Sequence, residues 1–539
     1  MDNLATKGEE AALKGNLREL YDITRKLTGK WKQSNRPIRD AKGKLLASTD
    51  EQAAAWAEHF KTLLNQPQLT NRCVIHPAAT DLDISCEKPS KAEIRKAIGA
   101  LNAGKAAGPD SIPPEALKGS IEESTDLLYI LFEKIWQEED VPRDWKEGYI
   151  VKIPKKGDLQ YCRNYRGISL LSVPGKVLNR IILERMTSAV DCKLREHQAG
   201  FRKHRSCIDQ IATLRIIIEE SLEWNSSLYI NFIDFEKAFD SIDRETLWMV
   251  MRHYGIPEKI VNLIRSTYCG AKCRVIHEGQ LSEAFEVVTG GRQGCLLTPF
   301  LFLLIIDWVM RLVTEGKRTG IQWSLLSQLE DLDFADDIAL LSHSHKQMQE
   351  KTTRLEQIAA QTGLRINSKK TKVMKILTRN MEPIQLSSGN VEEVQQFTYL
   401  GSIVSTDGGT EEDVKARLGK ARVAFHMLDK LWKSKIISRH TKLKIFNSNV
   451  KSVLLYGSET WRTTKQLQRK IREAWKDMYE EGLTALSTTT RRPKLVALVD
   501  IRSQVLHHPV LVVIPVAESA RQNSGSGVIF VLTVRLFPS

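Results

Sequence analysis

Two adjacent carboxylates, Asp336 and Asp337, stand between two short apolar runs. The runs, residues 329–335 and 338–342, are typical of strands, and the acid pair falls where a tight turn would join them. Two carboxylates at a hairpin tip repel each other, so the arrangement favours a bound cation, and oxygen ligands of this kind suit Mg²⁺. For an isolated pair, a solvated turn would be the simpler interpretation.

A third acid, Asp234, makes the solvated turn the weaker interpretation. It follows the apolar run 228–233, which predicts a core strand that delivers Asp234 to the edge of a sheet. Carboxylates at neighbouring strand ends can hold two Mg²⁺ ions about 3.5–4 Å apart, and such ions activate an attacking hydroxyl and stabilise a leaving pyrophosphate. The three acids therefore predict a two-metal site for phosphoryl transfer.

The motifs around these acids resemble those of reverse transcriptases from non-long-terminal-repeat retrotransposons, in particular the RTE-like branch of the LINE type. The resemblance rests on Phe-Ala-Asp-Asp at 334–337, on the acidic strand at 228–240 and on Gly-Gly-Arg-Gln-Gly-Cys at 290–295, and it covers about residues 10–470. It implies an RNA-directed DNA polymerase that transfers nucleotides from dNTP to the 3′-hydroxyl of a DNA primer on an RNA template. It also implies two Mg²⁺ ions, or Mn²⁺ in their place.

The same resemblance implies roles for individual side chains. Asp234, Asp336 and Asp337 correspond to the catalytic, metal-binding aspartates. Phe239 corresponds to the aromatic ring under the incoming sugar, with a plain core aromatic as the competing interpretation. Gln293 corresponds to the residue that touches the nucleotide or the template base. Three basic residues complete the predicted nucleotide-binding set, with ordinary surface cations as the alternative: Arg202, Arg205 and Lys155.

Two further positions near the acids depart from a simple assignment. Asp240 is interpreted as a residue that caps or braces its turn and is left out of the catalytic set. Gly291 stands where the family has an apolar residue, which frees the backbone and removes a packing contact. This departure and the divergent tail at 481–539 keep a second hypothesis open, that of a catalytically impaired, nucleic-acid-binding remnant of such an element. A two-metal nuclease is disfavoured, because nothing in a nuclease requires Phe239 and Gln293 beside the acids.

The chain of 539 residues carries a net charge of +14, which is consistent with a polyanionic partner. Residues 411–476 hold 17 Lys and Arg against 6 Asp and Glu, so most of the surplus lies there. The resemblance places a helical thumb in this region. Lys415, Arg417, Lys420 and Arg422 are expected to follow the phosphate backbone without reading sequence, and a solvated helix face is the alternative.

Other features exclude some classes of protein. The eight cysteines show no paired spacing typical of zinc sites, so reduced thiols are expected in an intracellular protein of the nucleus or the cytoplasm. The apolar run 295–306 is too short to span a membrane and is interrupted by Pro299. No membrane partner is expected, and nothing in the sequence indicates an oligomeric state.

The predicted fold class is α+β, with the right-hand architecture of polymerases: fingers, a palm whose antiparallel sheet is backed by helices, and a helical thumb. The expected bounds are 1–89 for a helical connector and linker, 90–227 for the fingers, 228–410 for the palm, 411–480 for the basic thumb and 481–539 for a divergent tail without an assigned role. The apurinic-type endonuclease that precedes the polymerase in complete family members is expected to be absent.

Overall fold

The structure, a computed structural model, describes residues 2–484 except for 14–18, 21, 25–36, 41–42, 68, 70–71, 325–326 and 435. Beyond residue 484, the predicted tail therefore lies outside the described residues. Within the described part of the chain, no helix is both long enough and apolar enough to cross a membrane. The described chain combines helices with several sheets, so the fold class is α+β.

The described helices are α1 (Asp2–Leu13), α2 (Thr49–Leu64), α3 (Lys91–Gly99), α4 (Pro114–Gly119), α5 (Ile121–Glu138), α6 (Arg143–Lys146), α7 (Val173–Asp191), α8 (Cys207–Glu223), α9 (Ala238–Ser241), α10 (Arg244–His253), α11 (Glu258–Tyr268), α12 (Thr298–Thr314), α13 (His345–Ala360), α14 (Glu411–His426), α15 (Asp429–Trp432), α16 (Arg439–Phe446), α17 (Ser452–Leu454) and α18 (Lys465–Thr484).

The described strands are β1 (Ile38–Arg39), β2 (Leu45–Leu46), β3 (Glu147–Pro154), β4 (Tyr165–Leu170), β5 (Leu228–Ile233), β6 (Lys272–His277), β7 (Gln280–Leu281), β8 (Phe285–Glu286), β9 (Ile321–Gln322), β10 (Gln328–Leu329), β11 (Asp331–Phe334), β12 (Asp337–Ser342), β13 (Lys372–Ile376), β14 (Gln385–Leu386), β15 (Gly389–Asn390), β16 (Glu392–Glu393), β17 (Gln396–Tyr399) and β18 (Ser402–Ser405).

The sheet predicted for the palm has the strand order β11-β12-β5-β13-β16. The pairs among β11, β12, β5 and β13 are antiparallel, as predicted, and β16 joins the edge in parallel. On neighbouring strands, Ile338 pairs with Ile233. This register brings the end of β5 next to the start of β12, where the predicted acids lie.

Both faces of this sheet are buried because helices cover each side. Tyr229 and Ile233 belong to the core that contains α12 and α13, whereas Ile230 and Phe232 pack with α8 and with the hairpin β17–β18. Every residue of β5 is buried. Burial on two faces explains why the sequence of β5 is a continuous apolar run rather than an alternating one.

A second sheet has the order β4-β3-β6-β7, with β8 also paired to β6. Strand β6 pairs in parallel with β3, from Glu147 opposite Lys272 to Ile150 opposite Val275. Strand β6, in the range predicted for the palm, thus belongs to the same sheet as β3, in the range predicted for the fingers. The two units interleave along the chain, so a single boundary after residue 227 does not separate them.

A buried ion cluster around Arg195 fixes strand β11. The guanidinium donates to both carboxylate oxygens of Asp331 at 2.8 Å and also to Asp333, and the Arg195 backbone N–H donates to Asp307 at 2.8 Å. All three carboxylates are fully buried. Burial on its own raises the pKa of Asp331, but the Arg195 charge overrides this effect and lowers that pKa to about 2.

We expect Arg195→Met to destabilise the fold by roughly 3–5 kcal/mol, because the substitution leaves buried carboxylates without their counter-charge. Urea unfolding measures the change in the free energy of unfolding. The matched control is Arg379→Met, which removes an exposed guanidinium from a loop. A loss no larger than that of the control would contradict the role of the cluster in stability.

Candidate active site

The predicted acid pair lies at a tight hairpin turn, shifted by one residue from the expected position. Strands β11 and β12 pair as far as Phe334 opposite Asp337, so Ala335 and Asp336 form the turn and Asp337 begins the second strand. Ala335 has a φ of 57°, a left-handed conformation that is unfavourable for a residue with a side chain. The turn therefore needs support from its surroundings.

A segment that lies along β11 supplies this support. The fully buried Gln198 accepts a hydrogen bond from the Ala335 N–H at 2.9 Å and donates one to the Ala335 carbonyl at 3.4 Å. Gly200 lies so close that a Cβ at this position would be 2.2 Å from the nitrogen of Ala335. Sequence reasoning assigned only the basic residues of this segment and missed both contacts, although the Gln-Ala-Gly tripeptide that precedes them was visible.

The third acid reaches the same edge of the sheet. Because Ile233 pairs with Ile338, Asp234 and Asp337 occupy neighbouring positions at the ends of adjacent strands. Burial raises the pKa of Asp336, and repulsion from Asp234 adds to the shift. Burial, with repulsion from both other acids, raises the pKa of Asp337 to about 6. The three acids thus form one patch of unbalanced negative charge.

Lys370 is in contact with this patch. Its Nζ lies 3.2 Å from Oδ1 and 3.4 Å from Oδ2 of Asp234. The loop that carries Lys370 also binds the end of β5, since the Asn367 N–H donates to the Asp234 carbonyl at 2.8 Å and the Asp234 N–H donates to Thr371 Oγ1 at 3.2 Å. The lysine balances part of the negative charge and leaves the other two acids without such a contact in the described residues.

The chemistry of the patch fits a divalent cation, because its carboxylates are crowded, partly buried and rich in oxygen ligands. In the described part of the chain, no group of three or more His, Cys, Asp or Glu side chains is arranged to hold a metal ion by itself. Mg²⁺ in phosphate-handling sites is held by one or two carboxylates together with water and substrate phosphates. The patch therefore suits an ion that shares its ligands with a phosphate-bearing substrate.

Phe239, five positions after Asp234, packs between a buried and an exposed aromatic ring. Its ring stacks on Phe302 with the centroids 4.3 Å apart and meets Phe201 edge-on at 6.5 Å. Phe302 is fully buried, whereas Phe239 is half-buried and Phe201 is exposed. One side of the Phe239 ring thus belongs to the core, and the rest remains accessible to a ligand.

Gln293 lies in the loop that precedes α12 and is bonded to Asp240. Its Nε2 donates to the two carboxylate oxygens of Asp240 at 3.1 and 3.3 Å. The Asp240 carboxylate, which was predicted to brace its own turn, therefore also holds the side chain of Gln293. Gln293 is the residue predicted to touch the nucleotide.

The space beside Gly291 is filled by a neighbouring side chain. A Cβ added to Gly291 would lie 2.4 Å from Cγ2 of Thr298, so the threonine methyl group already occupies the space in which a larger residue would pack. The Thr298 hydroxyl also donates to the carbonyl of Arg292 at 3.0 Å. The packing contact that the glycine removes is supplied from the opposite side of the loop.

The three cations predicted for the fingers differ in their surroundings. Arg202 is committed within the protein, since its guanidinium donates to the Asp191 carboxylate and to the carbonyls of Arg195 and Gln198. Arg205 is exposed on the surface. Lys155 is also exposed, and partial desolvation together with neighbouring positive charges lowers its pKa.

Two cations that sequence reasoning missed lie near Lys155. The exposed residues Arg166 and Lys237 both contribute charge at Lys155, and Arg166 also lowers the pKa of Asp336. Arg166 and Lys370 thus place two positive charges near the acid patch, and Lys155 and Lys237 place two more near Asp240. Sequence reasoning did not group Arg166 and Lys237 with Lys155, because each of them lies in a different motif.

The predicted thumb cations also divide into two groups. Lys415, Lys420 and Arg422 are exposed on α14. Arg417 is buried, lies 4.3 Å above the ring of Tyr456 and donates to the carbonyl of Gly401. Arg417 therefore joins the thumb helix to the hairpin β17–β18, and its guanidinium does not face solvent.

The first turn of α14 is anchored by Asp413, which is 1% exposed. Its carboxylate accepts hydrogen bonds from Arg215 at 2.9 Å, from the Ile403 N–H at 3.0 Å and from Trp461 Nε1 at 2.9 Å. These donors belong to α8, to β18 and to the segment before α18. The base of the thumb is thus bonded to three separate parts of the chain.

A comparison with protein families matches the part of the chain that contains this site. Residues 153–404 match the family described as reverse transcriptase, or RNA-dependent DNA polymerase, and the match includes the three acids, Phe239 and Gln293. Residues 424–456 match a domain of unknown function.

The chain is similar to polymerases of retrotransposable elements. It is 26% identical over 364 residues to the retrovirus-related Pol polyprotein of the type-2 retrotransposable element R2DM from Drosophila melanogaster, with 66% of this chain and 33% of that protein covered. It is 25% identical over 453 residues to the probable RNA-directed DNA polymerase from transposon BS of Drosophila melanogaster, with 79% of this chain and 48% of that protein covered. The chain thus spans a third to a half of the length of these relatives.

Among solved structures, apo telomerase from Candida tropicalis is 13% identical, with a TM-score of 0.38 over 66% of this chain and 68% of that chain, a likeness too low to bear on the assignment. The family match and the sequence relatives instead agree with the motifs and with the observed palm sheet. Residues 153–404 are a reverse transcriptase domain with a right-hand polymerase fold, and the chain is similar to the polymerases of retrotransposable elements.

Proposed function

We propose that this chain is an RNA-directed DNA polymerase that extends the 3′-hydroxyl of a DNA primer with deoxynucleotides on an RNA template. The observation that carries the proposal is the convergence of Asp234, Asp336 and Asp337 at one edge of the sheet. The reverse transcriptase match over this region supports it.

Asp234, Asp336 and Asp337 would hold two divalent ions, Mg²⁺ or Mn²⁺. When bound, such ions activate the attacking hydroxyl and stabilise the leaving pyrophosphate. The acids contribute the negative charge that attracts the ions, and Lys370 shares Asp234 with them. The unfavourable repulsion among the acids is thereby relieved in the loaded enzyme.

The triphosphate of the nucleotide would bind to the cations around the acids. Lys155, Arg166, Lys237 and Lys370 are the residues that we propose for this role, and Arg205 remains a candidate from the fingers surface. Arg202 is excluded from this set because its guanidinium is occupied by protein acceptors. Phosphate oxygens accept hydrogen bonds from Lys and Arg, which also neutralise the charge of the leaving group.

The hypothesis of a catalytically impaired remnant rested on Gly291 and on the divergent tail. Since the Thr298 methyl group fills the space beside Gly291, the loop keeps its packing and the hypothesis loses the first of these two supports. Primer extension in the presence of Mg²⁺ decides between the two functions. A protein that binds primer–template and extends nothing would revive the remnant.

We expect Asp336→Asn to reduce primer extension on the order of 100-fold or more, because the loss of a carboxylate removes a metal ligand while leaving the shape of the turn intact. Binding of primer–template should change little, since the exposed thumb cations are unaltered. Rates and affinities are measured on the same samples, with Asp477→Asn on the exposed face of α18 as the matched control. Equal rates for the variant and the control would refute the assignment of Asp336.

We expect Phe239→Val to increase ribonucleotide incorporation relative to deoxynucleotide incorporation by roughly tenfold or more. The ring leaves no space for a 2′-hydroxyl and offers it no hydrogen bond, so a smaller side chain removes both penalties. The measurement is the ratio of kcat/KM for the two sugars in the variant and the parent. An unchanged ratio in a variant that still polymerises would make Phe239 a core residue only.

We expect neutralisation of Lys415, Lys420 and Arg422 to flatten the salt dependence of primer–template binding. Each lost phosphate contact lowers the slope of log K against log salt by about 0.9. The matched control replaces three exposed lysines of other helices, Lys96, Lys134 and Lys346, with glutamine. If both triple variants change the slope equally, the thumb cations are a solvated face and do not bind nucleic acid.

A further inference from the structure

The amide of Gln293 has hydrogen-bond partners on only one side. Its Nε2 donates to both oxygens of Asp240, at 3.1 and 3.3 Å. Its Oε1 is buried, and no donor among the described residues reaches it. A buried acceptor without a donor is unfavourable, and in a binding site it marks the position that a donor of the ligand completes.

Asp240 determines which atom of the Gln293 amide remains without a hydrogen-bond partner. An ionised carboxylate can only accept hydrogen bonds, so it selects the NH₂ group of Gln293 and leaves Oε1 on the other side. Burial raises the pKa of Asp240 to about 6, and the positive charges of Lys155, Lys237 and Arg166 act in the opposite direction. These cations keep the carboxylate ionised at neutral pH.

The backbone of Gln293 is held independently of the Asp240 carboxylate. The Gln293 carbonyl accepts a hydrogen bond from the Ser169 N–H of β4 at 2.6 Å. Two residues earlier in the same loop, the Gly291 N–H donates to the Phe239 carbonyl at 2.8 Å. A change confined to the Asp240 side chain should therefore alter the orientation of the amide without displacing the loop.

We propose that Asp240 is a positioning residue whose carboxylate orients the Gln293 amide so that Oε1 accepts a hydrogen bond from the incoming nucleotide. The inference rests on the nucleotide site of the proposed function and deepens it. The ligand atom is a hydrogen-bond donor, either a sugar hydroxyl or an N–H group of a base. Phe239, which directly precedes Asp240, brings the same segment against the nucleotide.

Nucleotide affinity tests this proposal without turnover. The dissociation constant of dNTP is measured on a primer–template complex in Ca²⁺. We expect Asp240→Asn to weaken binding about tenfold, since an asparagine can donate to Oε1 as well as accept from Nε2 and no longer selects one orientation. Gln293→Met should cause a similar loss, and the double variant should lose no more than either single variant, because both changes remove one shared interaction.

The matched control is Glu236→Gln, which removes an exposed carboxylate close to the site that makes no contact with Gln293 in the structure. It should leave the dissociation constant unchanged, and the thermal midpoint of Asp240→Asn should match that of the parent. Losses that multiply in the double variant, or a lower midpoint without weaker binding, would overturn the proposal and leave Asp240 a structural residue.

A 2′,3′-dideoxynucleotide identifies the donor. If the donor is the 3′-hydroxyl, the parent binds this analogue more weakly than dNTP, and Asp240→Asn abolishes the difference. If the donor belongs to a base, the variant weakens both ligands equally. A parent that binds nucleotide with this coupling but extends no primer would contradict the proposed function alone, whereas a parent that binds no nucleotide would contradict both.

Discussion

The position of the hairpin that presents the predicted catalytic acids depends on the burial of one guanidinium, that of Arg195, among carboxylates. Strand β11 carries Asp331 and Asp333 into the core, where an uncompensated charge would be strongly unfavourable. Arg195 compensates them, and the residues that follow it run along β11 to Gln198, which binds the strained turn at Ala335. One buried ion cluster therefore fixes both the strand and the turn that presents Asp336.

Local patterns in the sequence predicted the elements that carry the acids. The apolar run 228–233 is β5, and the runs 329–335 and 338–342 are β11 and β12 to within two residues. These strands were predictable because burial imposes a composition on each of them separately. We also expected Asp234 to lie close to the hairpin. That expectation came from the family resemblance and from the adjacency of strand ends, because no spacing of residues along the chain indicates it.

The contacts of individual polar residues were not predictable, because they join distant parts of the chain. Gln198 and Ala335 are separated by 137 positions, and no periodic pattern links them. Arg202 and Arg417 have the residue type of nucleic-acid ligands, yet buried acceptors in the protein take up their guanidinium groups. Residue type indicates that a charge needs a partner, and only the fold shows whether the partner is internal.

The hydrogen bonds of Asp413 fix the N-terminal end of the thumb helix α14. Helix α14 has 16 residues and is about 24 Å long, and its first turn is tied to α8 through Arg215 and to the hairpin β17–β18 through Ile403. A small rotation about this end would hardly displace Lys415, while Arg422 would travel farther. The contact of Arg417 with the hairpin β17–β18, one turn from Asp413, would stay the same.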